Sequence, residues 1–208
     1  MTEAKETARL ETFCDGVFAI AITLLILGIK IPPVSTVHST KEFWIKLSED
    51  WPSWFGFALS FCLIFIAWVN HHQVFKLINK TTPMFIYANG FMLLSVVVIP
   101  FLTGLMAEYF QKDYAQPAIS LYCFATLFHN IGWLLLGRTM LKPVPLTINE
   151  SCRQKAVYGL RNIKYGFFLY LLVFIISFWF PKIAMCIITV SWLIWIFVGI
   201  RIVRWKNT

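Results

Sequence analysis

Six long apolar runs, separated by short polar stretches, dominate the pattern of this chain. They cover approximately residues 12–31, 51–74, 84–107, 118–136, 158–180 and 183–202. Each is near the ~20 residues that cross a ~30 Å hydrocarbon core as a helix. The runs are continuous and do not alternate as barrel strands would, and backbone groups in lipid must be satisfied within the segment. The pattern predicts an all-α, polytopic membrane protein: one six-helix transmembrane domain spanning 1–208. Prolines punctuate it. Pro32, Pro33, Pro52, Pro83, Pro117, Pro143, Pro145 and Pro181 fall at or between run ends. Pro100 lies inside the third run, where a kink is expected. The last two runs are joined only around Pro181 and Lys182 and should form a hairpin. No internal repeat is visible.

Composition sharpens this picture. Of 208 residues, 59% are hydrophobic and 13% charged, more apolar surface than a water-facing fold of this size can bury. The net charge of +8 does not point to nucleic acid, because the basic residues sit in short connectors. With six spans both termini share one side. Thirteen Lys and Arg fall on that side and five on the other, which places both termini in the cytoplasm. The longest cytoplasmic connector, 138–164, is expected to include a short amphipathic segment lying on the membrane. Lys5 and Arg9 precede the first run without a small-residue cleavage site, so a retained first helix is expected. Cys14, Cys62, Cys123, Cys152 and Cys186 show no metal spacing and read as free thiols. The basic end around Trp205 reads as an interfacial stop.

The first run carries the unusual chemistry. Ile20, Thr23 or Leu24, Leu27 and Ile31 fall on one helical stripe. Asp15 lies about 140° away around the helix. Gly16, Ala19 and Ala21 permit close helix packing. An acid within the membrane is costly and faces protein, with a partner. Trp68, Asn70, His71 and His72 supply candidate partners at the same depth. Arg9 is about 120° from Asp15 and is not its i,i+4 partner. The bland readings stand beside these. An aliphatic stripe is most often packing or lipid contact, adjacent histidines on a helix diverge, and His129, Asn130, Asn89 and Thr126 suit helix–helix polar contacts. No metal site is indicated. There is no GxSxG, HExxH, phosphate loop or carboxylate pair, so an enzyme is not expected, and the TVGYG filter is missing.

The stretch RLETFCDGVFAIAITLLILGIKIP (9–32), with WVNHH (68–72) and NGFMLLSVVVIPFLTGLM (89–106), resembles the transmembrane protein 175 family, cation channels of endosomes and lysosomes with bacterial relatives. The resemblance covers most of the chain and is to the bacterial, single-repeat form. It implies a K⁺-permeable channel of the cell membrane, a homotetramer in the lipid bilayer with the first helices lining the pore. There would be no cofactor, and no ion beyond permeating K⁺. By position, the aliphatic constriction would be Ile20, with further rings at Thr23 and Leu27. Arg9, Phe13, Asp15, Trp68 and His71 or His72 would form the network packing the first helix onto the second. A lone copy of the motif itself argues for a cyclic homo-oligomer, since one helix cannot enclose a pore.

Two positions depart from the family pattern. Cys14 replaces a Ser, and Gly28 stands where many relatives carry Asp or Glu near the outer mouth. Glu42, Glu49 and Asp50 are the nearest acids that could compensate. The competing reading is a secondary transporter or proton-coupled carrier, which calls for a midplane site and broken or repeated helices.

Overall fold

In the computed structural model the described backbone covers residues 2–204, and among these residues the regular structure is helical. The helices are α1 (Thr2–Leu24), α2 (Thr40–Glu49), α3 (Trp51–Phe75), α4 (Pro83–Tyr109), α5 (Gln116–Leu141), α6 (Glu150–Ile176) and α7 (Pro181–Arg204). Among the described residues, five stretches are long and apolar enough to cross a membrane: Thr7–Gly28, most of α1 with the turn that follows it, and helices α3 to α6. The Pro181–Trp192 part of α7 is a shorter apolar helix. The chain is therefore an all-α, polytopic membrane fold. The interfacial stop expected around Trp205 lies outside the described residues.

The helix ends depart from the apolar runs in ways that local chemistry explains. α1 begins in the polar N-terminal residues and gives way to a 3₁₀ turn at Leu25–Gly28. Beyond it the chain extends toward Pro32 and Pro33, because a residue before proline avoids the helical region. Ile31 is thus not on the helix, and the stripe expected to run from Ile20 to Ile31 ends as a helical stripe at Leu24. The outer connector holds an unexpected helix, α2. Ser39 caps it by accepting from the Glu42 amide at 3.2 Å, and the Glu42 carboxylate reaches back to the His38 amide at 2.8 Å.

The expected surface-lying segment in 138–164 is taken up instead by the end of α5 and the start of α6. α5 continues to Leu141, and α6 starts at Glu150 with Asn149 as its cap, accepting from the Cys152 amide at 2.9 Å. The first turns of α6 are charged, which hid them from hydropathy. The short link that remains pairs with the α3–α4 link. Ile148 N–H donates to Leu77 O at 3.0 Å and Asn79 N–H to Leu146 O at 3.4 Å, around an antiparallel bridge between Ile78 and Thr147. α4 runs unbroken through Pro100 from Pro83 to Tyr109.

α4 and α5 form the centre of the bundle. α1 and α3 pack on one side of α4, while α6 and α7 close over α5. The α4–α5 approach is close enough that a Cβ on Gly132 would stand 2.9 Å from the Met92 Cα. Burial follows position. Of the most apolar window in α5, 67% is buried, against 22% in that of α1. α1 is a peripheral helix with one face against the bundle and one face open.

Several buried polar groups between the helices are paired in chains. Thr103 donates its hydroxyl proton to Ile99 O at 2.8 Å, so it accepts from Ser60 at 2.6 Å. Trp133 Nε1 donates to His129 Nε2 at 2.9 Å, which leaves His129 Nδ1 to donate to Ser95 at 2.9 Å. His129 is a satisfied helix–helix contact.

Candidate functional site

The candidate site is α1 with the helices it leans on. Its inner face is Cys14, Phe18, Ala21 and Leu25, all but sealed from solvent. These recur at three and four residues, the period of a face pressed on a neighbour. They pack against α3 and α4, and the Phe18 ring tilts over His71 with centroids 5.3 Å apart.

Polar bonds flank this apolar seam. Trp68 Nε1 donates to Asp15 Oδ1 at 2.9 Å. One helical turn away, Glu11 Oε1 and His72 Nδ1 are 2.7 Å apart. α1 and α3 run antiparallel here, so the i,i+4 pair Glu11 and Asp15 meets the i,i+4 pair His72 and Trp68 as two successive rungs. Deeper in, Asn89 of α4 ties both helices together. Its Nδ2 donates to Cys14 Sγ at 3.0 Å, and its Oδ1 lies 2.8 Å from His71 Nε2. Because Asn89 Oδ1 can only accept, His71 carries its proton on Nε2. Its Nδ1 has no partner among the described residues.

The structure therefore brings Asp15 to Trp68 and separates the other expected members of that network. His72 meets Glu11, and His71 meets Asn89. Arg9 is exposed and makes no ion pair among the described residues, and Phe13 is 63% exposed. Both stand on the open face, away from the Asp15–Trp68 bond. Glu11, Cys14 and Asn89 belong to the contact set and were not singled out as its members. Glu11 could have been found from its spacing, one turn before Asp15. Asn89 could not, because its partners come from two other helices.

The open face is the aliphatic one. Ile20 is 61% exposed and Leu27 76%, with Thr23 and Leu24 between them. Leu27 sits in the 3₁₀ turn, which keeps it outward despite the tighter pitch. The Thr23 hydroxyl donates to Ile20 O at 2.8 Å, so its proton is used within the helix and its oxygen lone pairs are left outward. Gly16 also faces outward, with no atom within 4 Å of where its Cβ would be.

At the outer end, Lys30 pairs with Glu108 of α4, and the Lys30 amide donates to Asp50 Oδ2 at 3.4 Å. Asp50 also accepts from the Ser53 hydroxyl at 2.7 Å. Asp50 thus braces the start of α3 and Glu42 caps α2, so two of the three outer acids hold structure. Gly28 lies against Gly104 of α4, 3.9 Å from its would-be Cβ to the Gly104 Cα.

Residues 9–100 match the family described as endosomal/lysosomal potassium channel TMEM175. The chain is 39% identical over 176 residues to a potassium channel of Chamaesiphon minutus, covering 85% of this chain and 86% of that one. It is 38% identical over 136 residues to a potassium channel of Streptomyces collinus, covering 62% and 65%. Among solved structures it is similar to that of a lysosomal potassium-selective channel TMEM175 homolog from Chamaesiphon minutus, with a TM-score of 0.84 and 34% identity over 94% of this chain and 98% of that one.

Proposed function

The chain belongs to the TMEM175 potassium channel family, and from that premise we propose that it is a K⁺-permeable channel whose pore is lined by the open face of α1. The observation that carries this reading is the two-faced character of α1. One face is locked to α3 and α4, and the other presents Ile20, Thr23 and Leu27 with nothing of its own chain over them. Copies of the chain, four in this proposal, meet at these faces around a common axis. Each six-helix chain acts as one transmembrane unit of the cell membrane, with both termini cytoplasmic. The Asp15–Trp68 and Glu11–His72 rungs and the Asn89 ties set the rotation of α1, so that Ile20 and Leu27 point to the axis. Arg9 and Phe13, on the same open side, lie toward the neighbouring copy and the cytoplasmic entrance.

Ile20 and Leu27 form aliphatic rings that offer an ion no oxygens. Such a ring excludes water when narrow and passes partly hydrated ions when wide. K⁺ sheds water more readily than Na⁺ and is favoured modestly. The outward lone pairs of Thr23 supply some compensating oxygen between the rings. The function needs no bound cofactor and no catalytic group. α3 to α6 are continuous helices, unlike the broken helices around a transporter's midplane site.

The test is ion flux into liposomes holding purified protein, with wild type beside Ile20→Asn. Wild type should carry K⁺ in preference to Na⁺, and Ile20→Asn should pass both with the preference reduced. A robust flux with selectivity unchanged in Ile20→Asn would place the constriction elsewhere.

A further inference from the structure

On the side of α3 away from α1 lies a cleft of about 260 Å³ between α3, α5, α6 and α7. Asn70, Gln73 and Leu77 of α3 line it, across that helix from Trp68 and His72, which bond to α1. Among the described residues α3 packs mainly on α1, α4 and α7, and no extended contact joins it to α5 or α6, so the gap between them stays open. The inner part of the cleft is apolar, with Leu63, Ile66, Ala67 and Trp133 on its walls. The other end, beside the α3–α4 link, carries Asn70, Gln73, Lys76, Lys155 and Asn162. The bond from Ile148 N–H to Leu77 O brings the start of α6 to the end of α3, and with it Lys155 to the same end as Lys76.

These five side chains make no hydrogen bond or ion pair among the described residues. Lys76 is exposed and the other four are half-buried. No Asp or Glu is among the described residues that line the cleft. An end that holds two ammonium groups and three amides, with no acid, is complementary to negative charge. It disfavours a cation, and a zwitterionic headgroup would find nothing there for its positive part. From Lys76 to Leu63 the α3 wall runs ~20 Å at ~1.5 Å per residue. That is the depth of one leaflet, half of the ~40–45 Å of a bilayer with its headgroups. A soluble anion would use the charged end and leave the apolar length empty. A neutral apolar molecule would fill that length and leave the ammonium groups without a counter-charge.

We propose that this cleft seats an anionic phospholipid from the leaflet at its charged end, the cytoplasmic leaflet in the topology proposed above. The headgroup lies among Lys76, Lys155, Gln73 and Asn162, and one acyl chain lies along Leu63, Ala67 and Trp133. Basic pockets between transmembrane helices hold anionic headgroups in this way. Lysine stems are long and adjustable, and a headgroup offers several oxygens, so the two ammonium groups need not converge on one atom. The inference does not rest on the channel reading, and its test uses no ion flux.

The experiment titrates the delipidated full chain in a neutral detergent with dioleoyl phosphatidylglycerol or dioleoyl phosphatidylcholine and reads bound lipid by native mass spectrometry. Wild type should prefer phosphatidylglycerol about tenfold. Lys76→Gln with Lys155→Gln should remove most of that preference, and Lys76→Arg with Lys155→Arg should keep it. Arg138→Gln with Lys164→Gln, two exposed cations outside the cleft, should leave it unchanged. Gly159 lines the cleft with no atom within 4 Å of where its Cβ would be. Gly159→Trp, which fills the gap and keeps both lysines, should weaken phosphatidylglycerol to a similar extent. Inorganic phosphate in excess should not displace the lipid. The proposal is overturned if wild type binds the two lipids equally, or if the preference survives Lys76→Gln with Lys155→Gln. An equal loss in Arg138→Gln with Lys164→Gln would overturn it as diffuse surface charge, and displacement by inorganic phosphate would overturn it as a site for a free anion.

Discussion

Asp15 stands in an apolar helix because Trp68 meets it with an N–H at 2.9 Å. A hydrogen bond to a charged group contributes about 1.5–3 kcal/mol, and losing the donor leaves a carboxylate facing apolar surroundings. Trp68→Phe should therefore lower the midpoint of thermal unfolding in detergent. In an Asp15→Asn background the same change should cost markedly less, because the neutral amide needs the indole less. A double-mutant cycle measures the difference, and purely additive effects would mean the bond contributes nothing. That Asp15 needs a partner was legible from the lone acid in an apolar run, and so was the short menu from Trp68 to His72. Which of them it takes was not, because the choice depends on the rotation of two antiparallel helices. The same is true of Cys14, whose partner Asn89 arrives from α4.

At the scale of helices, hydropathy located the apolar middles well and the ends poorly. α3 and α4 were nearly complete in the pattern because their apolar runs and their helices coincide. α6 was not, because Glu150 to Val157 make helix with charged and polar side chains that hydropathy passes over. α2 escaped for a different reason: ten residues of mixed polarity give no membrane signal. Its Ser39 and Glu42 capping pair was nonetheless readable in the sequence. The closest helix contact gives a sharp expectation. Gly132→Val puts a branched side chain where even a Cβ would stand 2.9 Å from the Met92 backbone. Forced shifts of that kind typically cost about 1–3 kcal/mol, so the variant should unfold at lower temperature. Gly16→Ala, on the open face of α1, should leave the unfolding of the isolated subunit unchanged. A destabilised Gly16→Ala monomer would mean that face is already covered within one chain.

For the molecule as a whole, the arrangement puts the most apolar burial in the middle and leaves α1 at the edge with an exposed stripe. If copies meet at that stripe, a cysteine there lies near its counterpart in the next copy. With the five native cysteines replaced by serine or alanine, Ile20→Cys should be joined between chains by a bifunctional thiol reagent in membranes. Ala21→Cys, whose side chain points into the bundle, should not. Equal cross-linking at the two positions, or none at Ile20, would remove α1 from the assembly axis. The stripe itself was legible from helical periodicity as far as Leu24. Past that point the 3₁₀ turn changes the angular step, which no 3.6-residue count could anticipate.

The two-faced α1 also bears on inheritance. Each chain contributes one copy of the open stripe, and its inner face is satisfied without help from any neighbour. A subunit altered at Ile20 therefore still folds and still joins normal partners. If four copies meet at this stripe around a pore, as proposed, then in a cell carrying both versions of the gene most assemblies include at least one altered chain, and each should leak. Changes on the open face should thus be genetically dominant. Changes at Phe18 on the inner face, or at Asn89 of α4 beneath it, should keep a subunit from maturing and so be recessive.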